Sequence, residues 1–133
     1  MATGMNSDTT KPHGHLLLRT LAMPGDTNPN GDIFGGWILS QMDIAGGILA
    51  KELAKGRVVT IGINAMKFMH PVHVGDTVGC YGKLLHTGTT SITLHLQVWV
   101  KTSQGEHYQV TEADFTYVAI DADGKKRPLA SNP

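Results

Sequence analysis

Hydrophobic and polar residues alternate along a stretch in the second half of the chain, residues 91–101. A period of two is typical of a β-strand whose side chains point alternately to two faces. We therefore predict a half-buried strand, with a polar face of Thr93, His95, Gln97 and Trp99 and an apolar face of Ile92, Leu94, Leu96, Val98 and Val100. Strand-like patterns between turn residues predict further strands at 16–23, 58–65, 66–70, 76–87 and 107–120.

A different pattern runs from residue 33 to about residue 55, where apolar residues fall on nearly every face of a helix. We predict one helix here, with Asp32 as its N-cap and Gly56 at its end. A helix that is apolar all round is buried. Between residues 35 and 50 its hydrogen-bonding side chains, besides the Trp37 indole, are Ser40, Gln41 and Asp43.

Asp43 is the one carboxylate between residues 35 and 50. Burial of an unpaired charge is so unfavourable that such a group either finds hydrogen bonds or shifts its pKa, which makes it a candidate for chemistry. The alternative is a structural or solvated carboxylate, the commoner case for a helix aspartate taken alone. Gly46 and Gly47 cost the helix about 1 kcal/mol each relative to alanine, which indicates close approach of a sheet or a second helix.

One buried helix and about five long strands joined by short connections predict an α+β domain whose sheet wraps around its helix. A chain of 133 residues has the length of one domain. We place this domain at residues 13–124, between a flexible N-terminal tail at 1–12 and a basic, mobile C-terminal tail at 125–133.

Composition narrows the function classes. The 11 Lys and Arg residues balance 11 Asp and Glu residues, whereas a general nucleic-acid or membrane-surface binder normally carries a basic excess. No apolar run approaches the ~18 residues of a membrane span, and the N-terminus lacks the layout of a signal peptide. Cys80 is the one cysteine, which excludes an intrachain disulfide and a four-cysteine zinc site. We expect a cytoplasmic protein without nucleic-acid or membrane partners.

Other motifs predict turns rather than sites. The histidines at 13, 15, 70 and 73 lie in segments that guarantee no convergent set of metal ligands. The sequence Asp-Ala-Asp-Gly at 121–124 begins like a calcium loop but lacks the later ligands, and we interpret it as a turn. The sequence contains no phosphate-binding loop, dinucleotide fingerprint or Gly-x-Ser-x-Gly elbow. We expect neither a metal nor a cofactor.

The start of the predicted helix offers hydrogen-bond donors. Backbone N–H groups of a first helical turn lack internal partners and lie at the positive end of the helix dipole, so they can stabilise a developing oxyanion. Gly35 and Gly36 leave room there for a substrate. Asp43 lies eight residues beyond Gly35, ~12 Å along a helix axis, which is too far for both to act on one atom. We therefore infer a site shared by two copies of the chain, related by a two-fold axis.

The sequence around this helix resembles the hotdog-fold acyl-CoA thioesterases, and closely their bacterial YciA type. The resemblance is carried by residues 26–37, Asp-Thr-Asn-Pro-Asn-Gly-Asp-Ile-Phe-Gly-Gly-Trp, and by Ser-Gln-Met-Asp at 40–43. It extends through Gly-Arg-Val-Val-Thr at 56–60, Val-Gly-Asp at 74–76 and Val-Trp-Val at 98–100, and covers nearly everything after residue 15. It implies a long helix wrapped by an antiparallel sheet, dimers with two active sites at the interface, and often a hexamer made of three dimers.

The resemblance also implies roles for individual residues. The family's helix aspartate, a nucleophile or a general base toward water, falls on Asp43. Its asparagine falls on Asn28, which would position water or substrate, although Asn before Pro is equally a turn signal. Gly35 matches the backbone N–H that polarises the thioester carbonyl. Many members carry His directly before the glycine pair, where this chain has Phe34, and we expect Phe34 and Gly36 to contact the substrate.

The implied reaction is hydrolysis of an acyl-CoA to a fatty acid and free CoA. A thiolate is a good leaving group, so a poised carboxylate and an oxyanion donor can suffice. Attack by Asp43 to form a mixed anhydride and deprotonation of water by Asp43 both stay open. The CoA phosphates require cations at the entrance, and the candidates, which are equally well interpreted as surface charge, are Arg57, Lys67, Lys83, Lys125, Lys126 and Arg127.

Two alternative functions fit the same fold. A hotdog enoyl-CoA hydratase carries a signature that resembles Asp-x-Asn-Pro-x-His, and this chain has Gly31 at the histidine position, which leaves the acid and base pair incomplete. A non-catalytic acyl-CoA-binding sensor is compatible with the fold but gives Asp43 no purpose.

Overall fold

The computed structural model describes residues 10–129. One long helix and five strands follow each other along the chain: β1 (His15–Leu21), α1 (Gly35–Ala54), β2 (Val58–Phe68), β3 (Thr77–Thr87), β4 (Ser91–Lys101) and β5 (His107–Ala119). The strands form one sheet in the order β1-β3-β4-β5-β2, and each neighbouring pair is antiparallel. The predicted α+β architecture, a long helix against an antiparallel sheet of five strands, is confirmed.

Helix α1 contacts all five strands. Its buried side joins the sheet in one core that includes Met42, Ala45, Ala50, Leu94 and Phe115. The other side is not covered within the chain, since Ile44 is 52% exposed and Ile48 is 41% exposed. The prediction of a helix buried on nearly every face is therefore wrong for a single chain, because the sheet covers only one side of the helix.

Gly46 shows how closely the helix lies against the sheet. A Cβ atom at this position would lie 2.3 Å from the Tyr117 hydroxyl oxygen and 2.8 Å from Leu96 Cδ1. Both distances are shorter than van der Waals contact, so only glycine permits this approach. The predicted close approach is confirmed at Gly46, whereas a side chain at Gly47 would meet open space within the described chain.

Strand β4 is buried on both faces, and the prediction of a half-buried strand is wrong in this respect. Gln97 and Trp99 on the predicted polar face are buried, and the Trp99 indole N–H donates to Gln97 Oε1 at 2.9 Å. The half-buried His95 has its ring nitrogens 2.7 Å from Asp114 Oδ1 and 2.9 Å from Glu112 Oε1. Polar side chains occupy this face because they hydrogen-bond to one another.

Strand β2 joins the two strands predicted at 58–65 and 66–70. Ala65 adopts a left-handed conformation with φ of 56°, and the register with β5 shifts between Asn64 and Lys67. The interruption is a β-bulge, which bends a strand without ending it. Strand β2 pairs with β5 on one side only and is therefore an edge strand of the sheet.

Helix α1 begins two residues later than predicted, and Phe34 rather than Asp32 precedes its first turn. The preceding segment is held in a turn, since the Asp32 N–H donates to Asn28 Oδ1 at 3.1 Å and the Phe34 N–H donates to Asp26 O at 2.9 Å. The helix ends as predicted before Gly56, with Lys55 in a left-handed conformation. No helix within residues 10–129 is long and apolar enough to cross a membrane.

Residues 125–129, at the start of the predicted C-terminal tail, pack against the domain. Arg127 Nη2 donates to Ala54 O at 2.9 Å, and the Leu129 N–H donates to Thr89 O at 2.8 Å. Residues 1–9 and 130–133, which make up the rest of this tail and most of the N-terminal one, lie outside the described residues.

Candidate active site

Asp43 projects from the middle of α1 towards strands β2 and β5. Its Oδ1 accepts a 2.5 Å hydrogen bond from Thr60 Oγ1 and lies 3.3 Å from the donating hydroxyl of Tyr117. Thr60 on β2 and Tyr117 on β5 stand opposite each other in register. The strand pairing thus places two hydroxyl donors at the same carboxylate oxygen, while Asp43 as a residue stays exposed in the single chain.

Tyr117 is the buried member of this group. It is 1% exposed, and its hydroxyl also donates to the backbone oxygen of Asp43 at 3.0 Å. Burial, and after it the negative charge of Asp43, raises the pKa of Tyr117 well above its ordinary value. The phenol is therefore protonated at neutral pH and acts as a hydrogen-bond donor.

The first turn of α1 lies at the surface beside an apolar groove. Phe34, Gly35 and Gly36 are exposed, and the N–H groups of a first helical turn lack helical partners. The groove has a volume of about 330 Å³, and Gly35 and Phe68 are among its lining residues. A Cβ at residue 35 would lie 3.6 Å from Phe68 Cζ, an ordinary van der Waals contact, so the first turn of α1 lies directly beside the Phe68 ring.

The carboxylate and the first helical turn do not meet within one chain. Gly35 and Asp43 lie on the same helix, eight residues or ~12 Å apart. An atom bound at the first turn therefore cannot touch the Asp43 carboxylate of the same chain. The structure brings Asp43 together with Thr60 and Tyr117 and keeps Gly35 apart.

Asn28 holds the turn that precedes α1. Its side-chain oxygen accepts hydrogen bonds from the N–H groups of Asn30, at 2.9 Å, and Asp32, at 3.1 Å. Its own N–H donates to Asp32 O at 2.7 Å. The interpretation of Asn28 as a turn residue is confirmed, and the turn uses the oxygen of its side-chain amide rather than the NH₂ group.

Several of the predicted phosphate-binding cations cluster at the C-terminal end of α1. Arg57 Nη1 donates to Ala122 O at 3.4 Å, and the exposed Lys125 and Lys126 follow in the same loop. Arg127 lies beside them, but its guanidinium donates to two backbone carbonyl groups near the helix end. These contacts give Arg127 a structural role within its own chain.

Lys67 and Lys83 line a different groove, on the sheet surface that faces away from α1. It has a volume of about 420 Å³ and is also lined by His95, Glu112 and Asp114. The neighbours of His95 along β4 point into the core, so His95 itself points away from the helix. The structure therefore separates these two lysines from the Asp43 carboxylate of their own chain.

Thr60 and Tyr117 are site residues that the sequence analysis missed. Their partnership with Asp43 depends on the pairing of two strands that are distant in the sequence, and no local pattern reports such a pairing. One signal was present, since a tyrosine in an apolar strand needs a hydrogen-bond partner for its hydroxyl.

The chain combines a helix packed on a five-stranded antiparallel sheet with a helix carboxylate that is bound by hydroxyl groups of that sheet. The chain belongs to the thioesterase superfamily, whose family model matches residues 30–106. Over 129 residues it is 57% identical to the acyl-CoA thioester hydrolase YciA of Salmonella typhimurium, and the match covers 94% of this chain and 97% of that protein.

Solved structures agree with this assignment. The hexameric thioesterase y2039 from Yersinia pestis superposes with a TM-score of 0.89 at 59% identity, covering 92% of this chain and 100% of that chain. The hexameric hotdog-fold thioesterase Cj0915 of Campylobacter jejuni superposes with a TM-score of 0.84 at 47% identity, covering 90% and 93%. The predicted family and the hotdog fold are confirmed.

Proposed function

We propose that this protein is an acyl-CoA thioesterase, which hydrolyses an acyl-CoA to a carboxylic acid and free CoA. The observation that carries the proposal is the exposed Asp43 carboxylate, anchored through Oδ1 by the hydroxyl groups of Thr60 and Tyr117. Similarity to an acyl-CoA thioester hydrolase over 94% of this chain supports the same substrate class.

A carboxylate can open a thioester by two routes. In the first, Asp43 takes a proton from a water molecule as that water attacks the carbonyl carbon. In the second, Asp43 attacks the carbon itself and forms a mixed anhydride, which water then hydrolyses. Both routes consume one water, break the carbon–sulfur bond and release CoA as a thiolate that takes up a proton. The contacts of Asp43 are compatible with both.

We assign the oxyanion donor to the Gly35 N–H of a second copy of the chain. This N–H lies in the first turn of α1, at the positive end of the helix dipole, and so stabilises negative charge on the carbonyl oxygen. A second copy is required because Gly35 and Asp43 of one helix are ~12 Å apart. Phe34 and Gly36 flank this turn and contact the bound thioester, and the NH₂ group of Asn28 positions water or substrate.

The surface of the single chain supports pairing with a second copy. Strand β2 is an edge strand, and its residues Val59, Ile61 and Ile63 are 41%, 57% and 39% exposed. Ile44 and Ile48 expose further apolar area on α1. A long apolar edge strand exposes unpaired backbone groups and apolar side chains, which favour association with another chain. We propose a dimer formed through β2 and α1 as the unit that completes each site, and a hexamer of three such dimers, because the solved relatives are hexameric.

The CoA phosphates need a cationic surface next to this site. We assign them to the cluster at the C-terminal end of α1, where Arg57, Lys125 and Lys126 are exposed. Arg127 adds its charge to the cluster, although its hydrogen bonds are made within its own chain. Lys67 is a second candidate, because it is exposed on β2, the strand that we place at the dimer interface.

Gly31 argues against the hydratase alternative. It occupies the position of the histidine in the hydratase signature, and its φ is 87°. Glycine has no side chain that could transfer a proton, so the acid and base pair of a hydratase is incomplete at this turn.

We place the protein in the cytoplasm. Its one cysteine, Cys80, is a free and buried thiol, and reduced thiols are typical of that compartment.

The test is release of the CoA thiol from acetyl-, butyryl-, hexanoyl-, lauroyl- and palmitoyl-CoA by the native protein and by Asp43→Asn. Glu106→Gln is the matched control, because Glu106 is an exposed carboxylate in the connection between β4 and β5. We expect turnover by the native protein and the control, and a loss of about a hundredfold or more in Asp43→Asn with CoA binding retained. Unchanged turnover in Asp43→Asn would refute the role of Asp43, and CoA binding without turnover by the native protein would indicate a sensor.

A further inference from the structure

We propose that Tyr117 is a positioning residue for the Asp43 carboxylate and leaves Oδ2 as the reacting oxygen. Gly46 provides the space on α1 in which the Tyr117 hydroxyl lies. The inference deepens the proposed hydrolysis and rests on it. It is carried by the contacts of three side chains from α1, β2 and β5 and by the space at one glycine.

The two hydroxyl donors converge on one carboxylate oxygen. Thr60 Oγ1 lies 2.5 Å from Oδ1 of Asp43, and the Tyr117 hydroxyl lies 3.3 Å from the same atom. The single hydroxyl proton of Tyr117 is shared between Oδ1 and the nearer carbonyl oxygen of Asp43, so Thr60 makes the shorter hydrogen bond to Oδ1 and Tyr117 makes a bifurcated one. Within the described chain no hydrogen bond reaches Oδ2, which keeps its lone pairs for a water proton or for a carbonyl carbon.

Tyr117 is the rigid member of the donor pair. Its residue is 1% exposed and its ring stacks on Phe115 with centroids 6.3 Å apart, whereas Thr60 is exposed. The Tyr117 hydroxyl is also fixed to the backbone, since it donates to the carbonyl oxygen of Asp43 at 3.0 Å. One phenol therefore contacts both the main chain and the side chain of Asp43, which limits rotation of the carboxylate.

Gly46 makes this contact possible. It lies three residues after Asp43, on the same side of the helix. A Cβ there would lie 2.3 Å from the Tyr117 hydroxyl oxygen and 3.0 Å from Cζ. Glycine is unfavourable inside a helix. The space that the Tyr117 hydroxyl occupies explains why residue 46 is nevertheless a glycine.

The primary test is Tyr117→Phe, which removes the hydroxyl and keeps the ring. We expect kcat to fall about ten- to a hundredfold, the range for loss of one hydrogen bond to a charged group, with KM changed less than about twofold. This split between kcat and KM is the readout, because a general loss of structure would impair turnover and binding together.

Tyr108→Phe is the matched control. Tyr108 lies on the same strand, and its hydroxyl also donates to a backbone carbonyl, that of Pro71 at 3.2 Å. Removal of this hydroxyl should leave kcat unchanged. A Tyr117→Phe enzyme with native kcat would overturn the proposal.

Gly46→Ala tests the second half of the inference. The added methyl group displaces the Tyr117 hydroxyl and also meets Leu96 Cδ1, 2.8 Å from its position. We therefore expect kcat to fall at least as far as in Tyr117→Phe. Native kcat in Gly46→Ala would contradict the role of Gly46. Circular dichroism and thermal unfolding confirm that each variant is folded.

A second readout separates this inference from the proposed function. If the native protein releases no CoA from any acyl-CoA, the proposed hydrolysis fails. The NMR chemical shift of the Asp43 carboxyl carbon at neutral pH still decides the role of Tyr117: it should differ between Tyr117→Phe and the native protein, and equal chemical shifts would refute the positioning contact.

Discussion

Arg127 Nη2 donates a 2.9 Å hydrogen bond to the carbonyl oxygen of Ala54, the last residue of α1. The same guanidinium donates through Nε to Ile120 O at 3.1 Å. The last carbonyl groups of a helix lack helical partners and lie at the negative end of its dipole, so a cation that binds them stabilises the helix. Arg127 thus ties the end of the central helix to the segment that follows β5.

Arg127→Met should destabilise the protein. The change removes charge-assisted hydrogen bonds from partly buried carbonyl groups, and we expect the free energy of unfolding to fall by about 1.5–3 kcal/mol. Urea unfolding measures the change. Lys126→Met is the control, because the Lys126 side chain is exposed and should alter stability by less than about 0.5 kcal/mol. Equal losses in both variants would contradict the capping role.

Thr60→Val should impair turnover while Thr60→Ser should largely retain it. Valine keeps the shape of threonine but removes the hydroxyl that donates to Asp43 Oδ1, and we expect kcat to fall about ten- to a hundredfold. Steady-state CoA release by the three proteins is the measurement. A Thr60→Val enzyme with the activity of Thr60→Ser would show that the hydroxyl has no part in the reaction.

Local patterns in the sequence were sufficient to predict the helix, the strands and the central carboxylate. The start of α1 was misplaced because Asn28 and Asp26 hold residues 28–34 in a hydrogen-bonded turn, which a search for N-cap residues does not detect. The β-bulge at Ala65 made one strand look like two. The first error arises from hydrogen bonds within a loop, and the second from a register shift between two strands that are distant in the sequence.

The candidate site was predictable only in part. Asp43 stood out because it is a lone carboxylate in an apolar stretch, whereas Thr60 and Tyr117 become its partners only through the register of β2 and β5. Periodicity also could not predict the exposed apolar side of α1, because it reports that a residue is apolar and not whether the sheet covers it.

Ile61→Lys should disrupt both assembly and activity. Ile61 is 57% exposed on the edge strand that we place at the dimer interface, and a buried lysine without a partner is strongly unfavourable. We expect a smaller species in sedimentation velocity and a matching loss of CoA release, because the proposed site is built from two copies of the chain. Val74→Lys is the control, since Val74 is similarly exposed, at 44%, but lies outside the strands. Native assembly of Ile61→Lys would show that the interface between copies does not include this part of β2.

Stability should fall at alkaline pH through Cys80. Burial raises the pKa of its thiol from 9.0 to about 12, so the unfolded chain loses this proton first. The contribution of the protonated Cys80 thiol to the free energy of unfolding is fully present below pH 9. Between pH 9 and pH 12 it is lost as the pH rises, by roughly 4 kcal/mol in total. Urea unfolding at several pH values should show a flatter alkaline decline in Cys80→Ala than in the native protein. Parallel declines would contradict this linkage.

The burial of Cys80 has a further consequence for the proposed hydrolysis, which liberates a thiol at each turnover. Exchange between a protein thiol and a CoA disulfide needs an accessible thiolate, and Cys80 is both 1% exposed and protonated at neutral pH. The chain has no other cysteine. The CoA released in the proposed reaction, even when oxidised, therefore finds no accessible thiol on the folded protein with which to form a mixed disulfide, and the product does not modify the enzyme.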